Sequence, residues 1–168
     1  LSVRYFPFAF QVASTKKRIP FPKRARSSAS VSIEGEVVGQ IGKGMMLLLG
    51  ICPEDTTADA DWLVGKISKL RIFDDANGVM NLSLMDIGGE ALVVSQFTLM
   101  ASYRKGNRPS YIHAASPDVA IPLYEYFVRQ LGIALGRDIP TGRFGADMQV
   151  ALTNDGPVTI TMDSKNPE

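Results

Sequence analysis

This 168-residue sequence has one cysteine and one histidine, so the side chains that most often supply nucleophiles, bases and metal ligands are nearly absent. Cys52 alone excludes an internal disulfide and suits a reducing compartment. His113 alone leaves no zinc site built on several His or Cys ligands within one chain, and any Ser-His or Cys-His system would have to use it. The adjacent acids Asp74 and Asp75 sit in a turn where neighbouring side chains point apart, so no metal and no cofactor is assigned. Long hydrophobic runs are missing as well. The best candidates, residues 45–51 and 91–94, have strand length, against the roughly 20 residues that span a bilayer, and no membrane role is expected. Acidic residues are absent before Glu34, whereas Arg4, Lys16, Lys17, Arg18, Lys23, Arg24 and Arg26 are all basic. Net charge is only +1, so bulk electrostatics do not make the molecule a polyanion binder.

What is present is the composition of a globular domain, 45% apolar and 21% charged, in a chain long enough to bury a core. Residues 1–27 read as an atypical N-terminal extension, 28–164 as one domain and 165–168 as a C-terminal tail. In the extension Phe6, Phe8, Phe10 and Phe21 alternate with Pro7, Pro20 and Pro22 before basic residues and serines. That suits a disordered or artefactual start, to which Leu1 in place of Met also points. The alternative is an organelle transit peptide, rich in Arg and Ser and poor in acids. The expected compartment is the cytoplasm, or an organelle if the extension is a transit peptide.

From Ser27 the pattern is regular and predicts a strand-rich α/β domain with two main helices. Residues 29–33 and 36–41 flank Glu34-Gly35, a hairpin signal. Residues 45–51 form a continuous apolar run, expected as a strand buried on both faces. Trp62, Leu63, Ile67 and Leu70 have helical spacing over 61–70, with Asp55, Thr56 or Thr57 as caps. Residues 91–99 predict a second buried strand and 101–116 a loop. Ser116-Pro117 then opens a helix whose apolar face is Val119, Leu123, Phe127 and Leu131. Residues 148–153 and 158–162 predict a pair of strands around Asn154-Asp155-Gly156-Pro157.

Ser95, Gln96 and Thr98 bring three polar side chains to the end of a buried strand, where each needs a hydrogen-bond partner or a ligand. They belong either to a site, with nearby backbone N–H groups serving an oxyanion, or to a solvated edge. Gly156-Pro157 reads as an ordinary turn, or as a cis bond that turns neighbouring carbonyls to one side. Phe144, set between Gly142 and Gly145, has the surroundings of a base-stacking aromatic with Met148 against it, or of a packed bend. Arg104, Lys105 and Arg108 offer phosphate contacts in a Gly- and Pro-containing loop, or are surface charges.

Ser95-Gln96-Phe97-Thr98-Leu99 together with Asn154-Asp155-Gly156-Pro157-Val158-Thr159 resembles the motif pair of the D-aminoacyl-tRNA deacylase family. Ala29-Ser30-Val31, Gly42-Lys43-Gly44, Arg71-Ile72-Phe73, Asn107-Arg108-Pro109-Ser110 and Thr141 through Met148 agree in order, so the resemblance covers about 27–163. It implies hydrolysis of D-aminoacyl-tRNA and of glycine mischarged on tRNA by a homodimer whose active site lies at the subunit interface. It implies that Ser95, Gln96, Phe97 and Thr98 form the catalytic segment. Gly156-Pro157, as a cis element, would exclude L side chains, with Ala114 or Ala115 lining the amino-acid pocket and Phe144 and Met148 holding adenine. Arg104, Lys105 and Arg108 would meet tRNA phosphates.

The family's Gln-Arg-Val strand is replaced here by Arg24-Ala25-Arg26, which shifts the arginine that supports the Gly-Pro element out of register. Two other readings stand beside this one. A non-catalytic nucleic-acid-binding module of the same fold is one; a deacylase that tolerates L-substrates through a trans Gly-Pro is the other, against which the residue Phe97 argues.

Overall fold

The computed structural model describes residues 10–15, by backbone placement alone, and residues 29–167. Two strands organise it. β4 (Gly44–Leu49) pairs in parallel with β7 (Glu90–Ser95), and both are buried on both faces. Met45, Leu47, Leu49, Ala91 and Val93 point to one side, where they pack on the helices α1 (Thr57–Lys69) and α2 (Pro117–Leu135). Met46, Leu92 and Val94 point to the other and pack on Ala29, Val31 and Ile41. The second set lies on β2 (Ala29–Ile33) and β3 (Glu36–Ile41), so the layers run helices, sheet, sheet. The apolar run predicted as a doubly buried strand over 45–51 is that strand, which ends two residues earlier at Leu49.

The first sheet has the order β7-β4-β1-β9, with β1 at Phe10–Thr15 and β9 at Thr159–Met162. The second has the order β3-β2-β8, with β8 at Gln149–Leu152. β5 (Phe73–Asp74) and β6 (Met80–Leu82) form a small antiparallel ribbon. Glu34 and Gly35 both have positive φ, 52° and 84°, which matches the twist of the β2–β3 hairpin. In the predicted turn after β5, the Asp75 carboxylate accepts the N–H groups of Asn77 and Val79 at 2.8 and 3.2 Å. No helix among the described residues is long and apolar enough to cross a membrane.

Four expectations change. Residues 10–15, assigned to the extension, are a central strand with antiparallel partners on both sides. They fall between Pro7 and Pro20 and contain no proline, so every amide can join a ladder. The strand expected over 91–99 stops at Ser95, and residues Phe97–Met100 turn into a 3-10 helix. The strands on either side of Asn154-Pro157 do not pair with each other. β8 joins β2, β9 joins β1, and the segment between them crosses from one sheet to the other. On α2, Val119 is exposed while Ala120 and Tyr124 are buried. A stripe stepped uniformly by four residues drifts by about 40° per step on a helix of 3.6 residues per turn, so Val119 falls off a buried face that holds Ala120, Leu123, Tyr124, Phe127 and Leu131. Arg24 and Arg26 lie outside the described residues.

The C-terminal segment is tied to the start of α1. Lys165 pairs with the buried Asp59 carboxylate at 2.7 Å, Ser164 donates to it at 2.9 Å, and the Thr56 N–H at the helix start donates at 2.9 Å. Burial alone would raise the Asp59 carboxyl, but the bonds from Lys165, Thr56 and Ser164 outweigh it and hold the pKa at about 2. A carboxyl depressed in this way stabilises the fold above its unfolded value and loses that contribution as pH falls toward about 2. Urea midpoints of the wild type should therefore drop between about pH 4 and pH 2. Asp59→Asn should be less stable at neutral pH and flatter across that window; an equally steep loss would show that the clamp does not set acid stability.

Candidate active site

β4 and β7 are parallel, so their C-terminal ends open on the same edge of the sheet. There the Gln96 N–H donates to the Leu49 carbonyl at 2.8 Å, extending the ladder by one bond before the chain turns. Gly50 lies against this turn. A Cβ on it would stand 2.6 Å from the Met100 methyl, 3.1 Å from Leu99 Cβ and 3.2 Å from the Gln96 carbonyl. Behind it, the Cys52 sulfur meets the Met100 sulfur at 3.2 Å, both buried. The Gln96 side-chain amide donates to the Thr98 hydroxyl, so the two polar side chains of the turn are bonded to each other.

A cavity of about 270 Å³ opens beside the turn. Ser95, Gln96 and Phe97 line it together with Phe144, Met148 and Ala115. Ala115 is fixed there by its N–H, which donates to the Ile51 carbonyl at 2.8 Å. Ala114 instead packs against Cys52 and Met100. None of the cavity's lining residues is ionisable. Phe144 is oriented by Tyr124, the rings meeting edge-on with centroids 6.1 Å apart. The Tyr124 hydroxyl donates to the Val93 carbonyl at 2.9 Å, and burial pushes its pKa far above the usual phenol value, so it remains a donor.

Two groups of predicted site residues lie outside the cavity. Arg104, Lys105 and Arg108 are exposed on a loop whose neck is closed by Ser102 and Ser110, which exchange both backbone hydrogen bonds at 2.8 Å. Gly156 and Pro157 are exposed in the crossover between β8 and β9. Here the expected cis bond is corrected: no peptide bond among the described residues is cis, so Gly156-Pro157 is trans. An X-Pro bond favours trans by about 0.5–1 kcal/mol unless packing selects otherwise. This turn is anchored only on its flanks, where Asn154 accepts the Val158 N–H at 3.2 Å and donates to Thr159 at 3.1 Å. No grouping of acids, histidine and cysteine suited to a metal ion occurs among the described residues.

Residues 24–163 match a protein-family model described as D-Tyr-tRNA(Tyr) deacylase. A D-aminoacyl-tRNA deacylase of Bacteroides thetaiotaomicron is 61% identical over 142 residues, 84% of this chain and 95% of that protein. One of Chromobacterium violaceum is 59% identical with the same coverage. The chain belongs to this deacylase family. Among solved structures, a c-Myc DNA unwinding element binding protein superposes with a TM-score of 0.79 at 38% identity, covering 93% of this chain and 97% of that one. A probable eukaryotic D-amino acid tRNA deacylase, 17% identical over 93% and 98% of the two chains, shares the fold with a TM-score of 0.75.

Deacylases of this family are ester hydrolases. In this member the cavity unites six of the residues singled out in the sequence, and adds supports that pattern did not reveal. Gly50 gave no signal, because its role is to leave room for Met100. Tyr124 carried one, a phenol on the buried face of a helix that needs a hydrogen-bond partner. β1 lies outside the family match, and only backbone pairing locates it. Gly50→Ala should displace the Gln96–Met100 turn and lower deacylation by at least about tenfold, since misplacement by an ångström costs up to about 100-fold. Unchanged kcat/KM in the folded variant would show that the turn tolerates the shift.

Proposed function

We propose that this protein hydrolyses the ester linking a D-amino acid, or glycine mischarged on tRNA, to the terminal adenosine, and that it does so as a cytoplasmic homodimer. The observation that carries the reading is the single cavity that joins Ser95 and Gln96 to Phe144 and Met148 with no ionisable side chain in its lining. Phe144 and Met148 take the adenine, and Ser95 and Gln96 place the ester. The backbone N–H groups of Phe97 and Thr98 begin the 3-10 turn, so they have no partner within it and are available to an oxyanion. Water attacks the carbonyl carbon, assisted by the neighbouring ribose hydroxyl, and the ester C–O bond breaks with the proton passing to the tRNA oxygen. Thr98 acting as a covalent nucleophile is disfavoured: its hydroxyl is engaged by Gln96 and no base adjoins it.

Selectivity comes from main chain. An enzyme that accepts many D side chains should read the stereocentre, which a fixed backbone does better than a mobile side chain. The exposed Gly156-Pro157 turn is free to reach a second copy's cavity, and Arg104, Lys105 and Arg108 to meet tRNA phosphates. Support for the dimer comes from β8: Val150 and Leu152 pair with the buried Val31 and Ala29, yet stay exposed. The reading rests on reach rather than on a particular isomer. The trans bond itself favours the L-tolerant alternative, and the 38% identical DNA unwinding element binding protein favours a nucleic-acid-binding role.

Matched D- and L-aminoacyl-tRNA separate these readings. The D and glycyl esters should be cleaved and the L ester spared by at least about 100-fold, the upper range for discrimination by fit. Equal rates on both would remove the chirality argument. No cleavage at micromolar enzyme, with binding lost steeply as salt rises, would establish the binding module.

A further inference from the structure

The cavity accounts for one nucleoside of the substrate, whereas the aromatic surface continues beyond it. Phe97 is 57% exposed, and its ring meets that of Tyr111 edge-on at a centroid distance of 4.9 Å. Past Tyr111 the side chain of Ile112 is 79% exposed, and across the neck of the loop Tyr103 is 77% exposed. Large apolar side chains bared this way on the two strands of one loop neck mark a binding surface more often than singly scattered ones. Cations accompany them: Tyr103 through Pro109 includes Arg104, Lys105 and Arg108 and no acid. The loop does not hang free, because the Ser102–Ser110 pair of hydrogen bonds holds its base beside the 3-10 turn.

We propose that Tyr103 and Tyr111 form a stacking subsite for the unpaired nucleotides that precede the terminal adenosine, with Ile112 at its edge and the loop's cations on their phosphates. The inference rests on the ester-hydrolase reading above and extends it from one nucleoside to the strand that carries it. Exposed aromatic rings interleaved with basic side chains are what single-stranded nucleic acid requires, since every base offers a face to stack and every linkage a charge. Phe97 connects the two subsites, since it lines the cavity and touches Tyr111. A strand leaving the cavity over Phe97 therefore passes from ring to ring without crossing an acidic residue of the loop.

The test compares two substrates in the full-length protein. On D-aminoacyl-tRNA, Tyr103→Ala should lower kcat/KM about 5- to 100-fold, the range for loss of one stacked base. On D-aminoacyl-adenosine, which lacks the preceding nucleotides, the same variant should match the wild type. Tyr103→Phe should restore the tRNA rate, because stacking needs the ring and not the hydroxyl. A direct titration with a short single-stranded RNA of the acceptor-end sequence should show the same loss of affinity in Tyr103→Ala. That measurement stands even if the wild type cleaves neither ester, the outcome that sinks the hydrolase reading alone. Equal losses on both substrates, no loss on either, or unchanged RNA affinity would overturn the subsite. So would a change in sedimentation of Tyr103→Ala, which would assign the ring to a contact between copies.

Discussion

The parallel pairing of β4 with β7 is the constraint from which the rest of the molecule follows. Parallel neighbours cannot be joined by a hairpin, so the chain needs a long crossover, here α1 and the β5–β6 ribbon. Both strands are buried on both faces, so each face needs its own cover: α1 and α2 on one side, β2 and β3 on the other. The pairing also sends both C-terminal ends to one edge, which is where Gly50 and Gln96 come into contact. The cavity forms at that edge because two chain directions diverge there and the layers on either side cannot close fully over the gap. Its lining reflects those sources. It takes side chains from the strand ends, the start of α2 and the segment leading into β8.

Val93 transmits that arrangement to the far wall of the cavity. Its N–H donates to the Pro140 carbonyl at 3.0 Å, and its carbonyl accepts from Gly142 at 3.1 Å and from the Tyr124 hydroxyl at 2.9 Å. The outer edge of β7 is thereby occupied by residues 140–142 and closed to further strands. Phe144 and Met148 follow directly in the chain. Phe144 meets the edge of Tyr124, and the Met148 sulfur lies against Gly142, where any side chain would collide with it. One residue in the middle of the core thus ties a helix, a strand edge and the Phe144–Met148 wall together, although it never meets the cavity itself.

What could be read in the sequence was what is written locally. Glu34-Gly35 between two alternating runs specifies a hairpin and Ser116-Pro117 a helix start, both as found, and the apolar run 45–51 a doubly buried strand, found over Gly44–Leu49. Ser95 and Gln96 were legible as polar residues at the end of a buried strand, and Phe144 as an aromatic set between glycines at a bend. What failed was decided at long range. Phe97–Met100 has the composition of a strand and becomes a turn because β4 ends at Leu49, leaving nothing to pair with. β8 and β9 look like a hairpin, but their partners are β2 and β1, chosen by layers assembled far earlier in the chain. Phe10–Thr15 carries no local mark of a central strand, and only the vacancy between β4 and β9 gives it one.

The site and the exposed surface of β8 pose one problem with one answer. Val31 and Val150 face the same side of the second sheet, as do Ala29 and Leu152, yet the first of each pair is sealed and the second is open. The second sheet therefore overhangs the first along β8, and Val150 at the overhang also lines the cavity. Whatever covers that apolar strip necessarily borders the site. A cavity with no ionisable lining has only the dipoles of backbone and neutral side chains to offer a developing charge, and dipoles act strongly only where water is excluded. An open cavity of about 270 Å³ on one chain does not meet that condition. In the dimer proposed above, burying Val150 and Leu152 would also cover the edge of the cavity that Val150 lines. On that proposal assembly would be part of the chemistry, because burying the strip would also exclude water from the dipoles around the cavity.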